Sequence, residues 1–308
     1  MSFWDDNTFD PAEHAPFFGV FQHFLYGDPG DGREETLPDY DWDARVRALD
    51  VDYIARTAAG LGARYYFITL MQGKKYMIAP NAAFDRVAGT KPGEACATRD
   101  LVADLYEALH PYGIDLCLYF TGDGPYQDPV AGERFGFVEP RQNVSDGFVA
   151  KWAAVLEEYA VRYGDRVAAW WMDGTFDKLG YDSRNLRPYA DAIRCGNPKA
   201  AMAFNNGVSG RLAKWYPGET FTAGEQNDLT LVPDSAFVDG ARAHILAPIG
   251  LAEKPWARWC KPGCAYTHAE IEDYIRRVNA AGGAVTLDMR IGRDGAFDAD
   301  QLCAVRMK

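Results

Sequence analysis

The stretch VAAWWMDGTFD, residues 167–177, runs from an apolar segment directly into an acidic residue and a glycine. A short apolar run that ends in glycine is typical of a buried strand. We expect Asp173 to project from the end of this strand beside Trp171, with Gly174 turning the chain. An ionised carboxylate at the edge of an apolar floor costs solvation free energy, which a fold tolerates when the charge has a task. The competing interpretation is that Asp173 caps the next segment, as Asp commonly does.

The rest of the chain repeats this pattern of a short apolar run followed by a longer amphipathic segment. Several amphipathic segments end in glycine, a usual stop for a helix. Strand-like runs lie at 17–24, 63–71, 114–120, 167–173, 200–206, 221–225, 243–249 and 283–289, and helical patterns at 50–62, 98–113 (with Thr98 as its cap), 144–164, 186–198 and 267–283.

Strand-then-helix alternation predicts parallel βα units, and eight strands of this kind predict an α/β fold of the closed (β/α)8, TIM-type barrel class. We expect a single catalytic domain over 1–308. The alternative is an open, doubly wound sheet, which the absence of Gly-x-Gly-x-x-Gly after the first strand disfavours. The loops at 25–42, 71–93 and 121–147 are long, and loops of that length are more often functional than idle.

Composition narrows the classes of partner. The 308 residues are 48% hydrophobic and 14% aromatic, which supplies a large core, and the net charge of −12 argues against nucleic acid as a partner. No apolar run is long enough for a membrane span, and the N-terminus lacks a basic and apolar leader, which predicts a cytoplasmic protein. A homo-oligomer stays open.

The cysteines and histidines do not follow a metal-binding spacing. The six cysteines are scattered, so we expect reduced thiols, although a Cys260–Cys264 disulfide stays open. The five histidines form neither His-x-His nor His-Glu-x-x-His. The sequence therefore predicts neither a metal site nor a cofactor.

Several segments together resemble one known family. They are GVFQHFLYG (19–27), GARYYFITLMQGKKYMIAPN (62–81), LHPYGIDLCLYFTGDGP (109–125), VAAWWMDG (167–174), FTAGEQND (221–228) and YTHAEIEDYIRRVNAAGGAVTLDMRIGRDGAF (266–297). In this order they resemble the motifs of glycoside hydrolase family 29, the retaining α-L-fucosidases. That family has a (β/α)8 barrel, usually followed by a β-sandwich, and this chain resembles the barrel alone, without the C-terminal β-sandwich.

The resemblance implies roles for individual residues. It implies that Asp173 is the nucleophile and Glu225 the acid/base, two carboxyl groups that a retaining glycosidase holds about 5–5.5 Å apart. A proton on Glu225 near neutral pH needs a raised pKa, which the charge of Asp173 would favour. The implied substrate-binding residues are His23, Trp171, Trp259, and Tyr119 or Phe120; a buried core role is the alternative for His23 and Trp171, and a solvated loop position for Glu225.

The sequence also departs from the family pattern. Met71-Gln72 stand where the family has His-His, and Asn205-Asn206-Gly207 stand where it has Asn-Asp-Arg. Because Gln both donates and accepts, Gln72 can replace one histidine. Asp288 stands where the family has Asn and is a further candidate for substrate binding. Lys74 and Lys75 would add positive charge to the pocket unless they are a solvated loop pair.

These features predict a retaining exo-glycoside hydrolase that resembles α-L-fucosidases and acts on a carbohydrate substrate. Two alternatives remain open: a glycosidase of the same fold for a different terminal sugar, and a barrel that binds carbohydrate without catalysis. The separation of the Asp173 and Glu225 carboxyl groups distinguishes the last alternative, because a distance far above about 10 Å favours binding over hydrolysis.

Overall fold

The structure is a computed structural model that describes residues 3–4, 7–27 and 41–307. Most of the loop expected to be functional at 25–42 lies outside these residues. In the described part of the chain, seven parallel strands form one curled sheet in the order β5-β4-β3-β2-β1-β9-β8. A short antiparallel hairpin, β6–β7, precedes β8. The strands are β1 Phe18–Gln22, β2 Tyr65–Met71, β3 Asp115–Thr121, β4 Ala169–Asp173, β5 Ala201–Phe204, β6 Phe237–Val238, β7 Ala241–Arg242, β8 His244–Pro248 and β9 Ala284–Asp288.

The segment 220–226 lies between the two edge strands β5 and β8. It holds β5 through the Thr220 amide, which donates to the Met202 carbonyl at 3.0 Å. It holds β8 through the Leu246 amide, which donates to Gly224, and through the Gln226 amide, which donates back to Leu246. The expected strand at 221–225 is therefore an extended segment with isolated bridges. The fold is the predicted TIM-like α/β barrel.

Helices surround the sheet, and most begin at an acidic or hydroxyl N-cap. The expected cap Thr98 is wrong: α4 begins after Asp100, whose side chain accepts from the Ala103 amide, because Thr98 is instead bonded to Asp43. No helix among the described residues is long and apolar enough to cross a membrane. The helices are α1 Trp42–Ala48, α2 Val51–Leu61, α3 Ala82–Ala88, α4 Leu101–Leu109, α5 Pro129–Phe135, α6 Asp146–Tyr163, α7 Ser183–Gly196, α8 His268–Ala280 and α9 Ala299–Val305.

Alternation along the strands separates two cores. In β4, Trp170 and Met172 pack toward the helices, whereas Ala169 and Trp171 point into the barrel. The barrel interior is rich in aromatic rings, and Phe3 and Trp4 pack against Tyr65, near the beginning of β2. Side chains alternate between the two faces of a strand, so every second residue points into the barrel. Asp173 lies two residues beyond Trp171 and therefore points inward as well.

Candidate active site

A cavity of about 350 Å³ opens at the carboxyl ends of the strands, where a barrel carries its functional loops. Seven of the eight residues expected at the site line it: His23, Gln72, Tyr119, Trp171, Asp173, Glu225 and Trp259. The eighth, Asp288, is not part of the lining and lies behind His23, to which it is hydrogen-bonded. The lining residues that sequence reasoning did not single out are Phe21, Leu25, Tyr26, Tyr76, Tyr126, Gln127, Leu246 and Cys260.

One side of the cavity holds Asp173, Asn205 and Glu225, here named the carboxylate cluster. The Asn205 Nδ2 atom donates to Asp173 Oδ1 at 2.8 Å and to Glu225 Oε2 at 2.6 Å. Because both bonds start at one nitrogen, the two oxygens cannot be farther apart than the two bond lengths combined, about 5.4 Å. Strand ends that are distant in sequence thus bring two carboxyl groups to one point.

A glycine adjoins each carboxylate residue and fixes the direction of the chain there. Gly174 has φ +65°, and a Cβ atom on it would lie 2.5 Å from the carboxyl carbon of Asp123. Gly224 has φ +58°, and a Cβ atom on it would lie 1.9 Å from the His244 carbonyl oxygen. A side chain at Gly174 would therefore collide with the Asp123 carboxyl group, and one at Gly224 would collide with the main chain at His244.

The Glu225 carboxyl group lies in surroundings that favour its protonated form. Burial raises the pKa of Glu225 to about 7, and the nearby charge of Asp173 adds to this rise. The hydrogen bond from Asn205 and the more distant charges of His23 and Lys178 oppose it. Near neutral pH, Glu225 can therefore carry a proton and give it up, the property that a general acid/base needs.

Aromatic rings form the floor below the carboxylate cluster. The Tyr119 hydroxyl donates to Asp173 Oδ2, and burial together with the Asp173 charge raises the pKa of this phenol well above its usual value. The Tyr119 ring stacks between Phe21 and Trp171, with centroids 5.3 Å away on each side. Phe120 packs toward the helices instead, so Tyr119 is the member of this pair that faces the cavity.

A second cluster combines His23 and Cys260, which line the cavity, with Asp288 behind them; it is here named the histidine cluster. His23 Nδ1 lies 2.7 Å from Asp288 Oδ1, and the Cys260 amide donates to Asp288 Oδ2 at 2.9 Å. Burial opposes charge on the imidazole, but the adjacent Cys260 and Asp288 outweigh it and raise the pKa of His23 well above its ordinary value. One nitrogen, sulfur and oxygen atom of these side chains all lie within 4.8 Å of one another.

The positions that depart from the family pattern divide between core and cavity. Met71 is buried in the core between sheet and helices, whereas Gln72 and Lys74 line the cavity. The Lys75 ammonium lies 3.4 Å from Asp128 Oδ2, so only one of the two lysines faces the site. Cys260 and Cys264 are not joined by a disulfide.

Two polar residues of the site escaped sequence reasoning. Asn205 follows directly after β5, and a polar residue at the end of a buried strand was a signal that could have identified it. Asp123 is buried beside the carboxylate cluster, where Thr121 and Arg141 donate to its carboxylate. Burial and the charge of Asp173 raise the pKa of Asp123 to about 7, against the effects of Thr121 and Arg141.

Glu225 also lines a second cavity of about 140 Å³. Asn205, Lys214 and Trp215 contribute to its wall. A group in either cavity can therefore approach the same carboxyl group.

An α/β barrel with paired acidic side chains at its carboxyl-terminal mouth has the fold of the barrel glycoside hydrolases, and solved structures of that class resemble this chain. The endo-fucoidan hydrolase P5AFcnA of glycoside hydrolase family 107 superposes with a TM-score of 0.69 at 16% identity, covering 94% of this chain and 89% of that one. The endo-fucoidan hydrolase MfFcnA4 of the same family gives a TM-score of 0.70 at 16% identity. It covers 96% of this chain, which spans about half, 53%, of MfFcnA4.

Structures of family 29 enzymes are also similar. The α-L-fucosidase of Bacteroides thetaiotaomicron, trapped as a covalent intermediate with 2-fluoro-fucosyl fluoride, gives a TM-score of 0.64 at 16% identity. It covers 96% of this chain and 72% of that one. No protein-family model matches the sequence, and a search of curated proteins found no significant match. The likeness therefore establishes a glycoside hydrolase-like barrel fold.

Proposed function

We propose that this protein is a retaining exo-glycoside hydrolase that removes a terminal α-L-fucose-like sugar, with Asp173 as nucleophile and Glu225 as acid/base. One observation carries the proposal: Asn205 holds both carboxyl groups so that their bonded oxygens lie within about 5.4 Å. Retaining glycosidases place their two carboxyl groups about 5–5.5 Å apart, whereas inverting enzymes need about 6.5–9.5 Å to admit a water molecule. This separation also argues against the alternative of a barrel that only binds carbohydrate.

The proposed reaction has two steps. A carboxylate oxygen of Asp173 attacks the anomeric carbon of the sugar, and the bond to the leaving oxygen breaks while Glu225 donates its proton to that oxygen. A water molecule then attacks the same carbon, Glu225 takes its proton, and the bond to Asp173 breaks. The sugar leaves with its original anomeric configuration, and Glu225 ends the cycle protonated.

The two cavities suit the two parts of such a substrate. The larger cavity has the aromatic floor of Phe21, Tyr119 and Trp171, against which the apolar face of one sugar ring can pack. Glu225 lines both this cavity and the smaller one, which supports its assignment as the acid that protonates the oxygen between sugar and leaving group.

The experiment that tests the proposal is covalent trapping. The protein is incubated with 2-fluoro-fucosyl fluoride, digested, and analysed by mass spectrometry for a glycosylated peptide. We expect one adduct, on Asp173, and none in the variant Asp173→Asn. The matched control is Asp177→Asn, which makes the same chemical change at an exposed carboxylate four residues farther along. An adduct on another carboxylate, or an unlabelled protein that does not hydrolyse aryl α-L-fucosides, contradicts the proposal.

A terminal sugar other than fucose is the second candidate substrate. Gln72, which stands where family 29 has a histidine, lines the cavity together with Lys74. An ammonium and an amide satisfy a different set of hydroxyl groups from two imidazoles, and an unsatisfied buried hydroxyl costs affinity. A panel of aryl glycosides separates the two candidates. Rapid cleavage of the aryl α-L-fucoside supports fucose, whereas preference for another terminal sugar supports a pocket rebuilt around these two residues.

A further inference from the structure

The histidine cluster brings a nitrogen, a sulfur and an oxygen atom together at the cavity. Its three donors come from separate segments: His23 follows β1, Cys260 lies in the loop after β8, and Asp288 ends β9. The side chains of His23 and Asp288 are only 8% and 1% exposed. The two Asp288 oxygens accept hydrogen bonds from His23 and from the Cys260 amide. Among the described residues, both hydrogen-bond partners of this buried carboxylate therefore belong to the cluster itself.

The backbone conformation at Cys260 is unusual and supports a preorganised site. Cys260 has φ +60°, and among the described residues only Asp239 and Cys260 combine a positive φ with a side chain. Such a conformation costs free energy, and it persists where the surrounding structure or a function requires it. Here it accompanies a thiol at the cavity wall while the amide of the same residue orients the Asp288 carboxylate.

We propose that His23, Cys260 and Asp288 form a binding site for a divalent transition-metal ion, with Zn²⁺ as the preferred class. A nitrogen, a sulfur and a carboxylate oxygen are the ligand types that zinc takes, whereas calcium and magnesium prefer oxygen alone. A thiolate and a carboxylate together balance the charge of one divalent ion beside a neutral imidazole.

The geometry fits an open site. Three protein ligands leave a fourth position for water or substrate in zinc sites of the catalytic type, and His23 and Cys260 both line the cavity. Zinc bonds of about 2.0–2.3 Å imply ligand-to-ligand distances of roughly 3.3–3.8 Å. The donor atoms lie within 4.8 Å of one another, so binding draws the most widely spaced atoms together by at most about 1.5 Å. His23 Nδ1 and Asp288 Oδ1, which lie 2.7 Å apart, separate by about 0.6 Å.

The Asp288 contacts explain how the ligands are held ready. The Cys260 amide fixes one carboxylate oxygen, and the metal takes the place of the proton that His23 Nδ1 shares with the other oxygen. The His23 ring is held on one side by Phe21, at a centroid distance of 4.1 Å, and meets Trp259 edge-on at 5.9 Å. Such outer contacts orient metal ligands in proteins.

The test uses Co²⁺ alone as a spectroscopic substitute for zinc. We expect the wild-type protein to bind one equivalent of Co²⁺ and to show the near-ultraviolet absorption of a thiolate–cobalt bond. Cys260→Ser removes this absorption, and His23→Ala weakens binding at least about tenfold. The matched control is Cys264→Ser, which changes a free, half-buried thiol of the same loop and keeps both signals.

Each outcome of the Co²⁺ test either supports or overturns the metal-site proposal, and none of them requires hydrolytic activity. A wild-type protein without the thiolate–cobalt absorption, or an absorption that persists in Cys260→Ser, overturns the proposal. Circular dichroism of each variant verifies that it is folded, and His23→Ala supplies a second route if Cys260→Ser does not fold. Because binding is measured directly, a negative result leaves the glycosidase proposal intact, and an inactive protein leaves the metal proposal intact.

Discussion

The carboxylate cluster and the histidine cluster both contribute side chains to the wall of one cavity, yet they are built differently. In the carboxylate cluster, Asp173 and Glu225 each stand next to a glycine of positive φ, at which a side chain would collide with a neighbouring group. In the histidine cluster, the His23 side chain and the Cys260 main-chain amide converge on Asp288, and the three residues come from segments distant in sequence.

The difference separates two kinds of functional site. A local motif such as Trp-x-Asp-Gly positions a charge through the strand that carries it, so its role can be inferred from a few neighbouring residues. The histidine cluster exists only once the barrel has closed and β9 has paired with β1, with Phe21 beside Asp288. If the comparison is right, substitutions in the carboxylate cluster change the reaction rate, whereas those in the histidine cluster change metal binding.

The largest expected effect is at Asp173. Asp173→Asn replaces the carboxylate that we propose as nucleophile by a neutral amide of the same shape, so kcat on an aryl α-L-fucoside should fall by at least about 10³-fold. Added azide should restore part of the rate, because this small anion can attack the sugar in place of the missing carboxylate. Steady-state kinetics of Asp173→Asn and the exposed control Asp177→Asn check both points, and equal rates in the two variants would refute the assignment.

The next effect is at Glu225 and depends on pH. The protonated acid is the active form, and its pKa is about 7, so kcat/KM of the wild-type protein should fall as pH rises through about 7. Glu225→Gln should lose this fall and lose on the order of 10²–10⁴ in rate on substrates with poor leaving groups. A 4-nitrophenyl substrate, whose leaving oxygen needs little protonation, should lose less in its first step.

A smaller effect is expected at Asn205, the bridge of the carboxylate cluster. Its hydrogen bond stabilises the charged form of Glu225 and lowers the pKa of that group. Asn205→Ala should therefore move the alkaline fall in kcat/KM to higher pH and reduce kcat about 10–100-fold, since neither carboxylate is held in place. Asn143→Ala, at an exposed amide outside the cavity lining, is the control; an unshifted pH profile in Asn205→Ala would contradict the bridging role.

Sequence reasoning predicted the barrel because strand-like runs and amphipathic helices alternate along the whole chain. Its weakest element was the run at 221–225, which contains Gly224 and joins its neighbours only through isolated bridges. Composition at that point resembles a strand, but the glycine that aims Glu225 also interrupts the regular pairing. The helix boundary at Thr98 failed for a tertiary reason, the bond between Thr98 and Asp43.

The site was predictable to the extent that it is local. Asp173, Glu225, Tyr119 and Trp171 stand at or near strand ends, and the cavity contains all four. Cys260 was judged only as a scattered thiol or as a partner of Cys264, because spacing rules for metal ligands examine residues close in sequence. What joins Cys260 to His23 is the closure of the barrel, which no periodicity in the sequence records.

The smallest effect is at Tyr119, which connects the two clusters: its hydroxyl donates to Asp173, and its ring lies 5.7 Å from that of His23. Tyr119→Phe keeps the stacked ring and removes one donor from the nucleophile. That donor matters most when Asp173 leaves the sugar and regains its full charge, so the second step should slow. We expect kcat to fall about tenfold, the order of one hydrogen bond to a charged group, with a smaller change in kcat/KM.

Slow release of the sugar has a kinetic signature that separates it from general damage. Tyr119→Phe should give a burst of aryl leaving group before the steady state, because the covalent intermediate accumulates. Tyr65→Phe is the control: it removes another buried hydroxyl, which donates to the Val285 carbonyl at 2.8 Å in the barrel interior. It should lower stability by about 1 kcal/mol and leave the rate unchanged. Equal losses of kcat and kcat/KM in Tyr119→Phe, without a burst, would show that the hydroxyl acts on both steps and not on departure of the nucleophile.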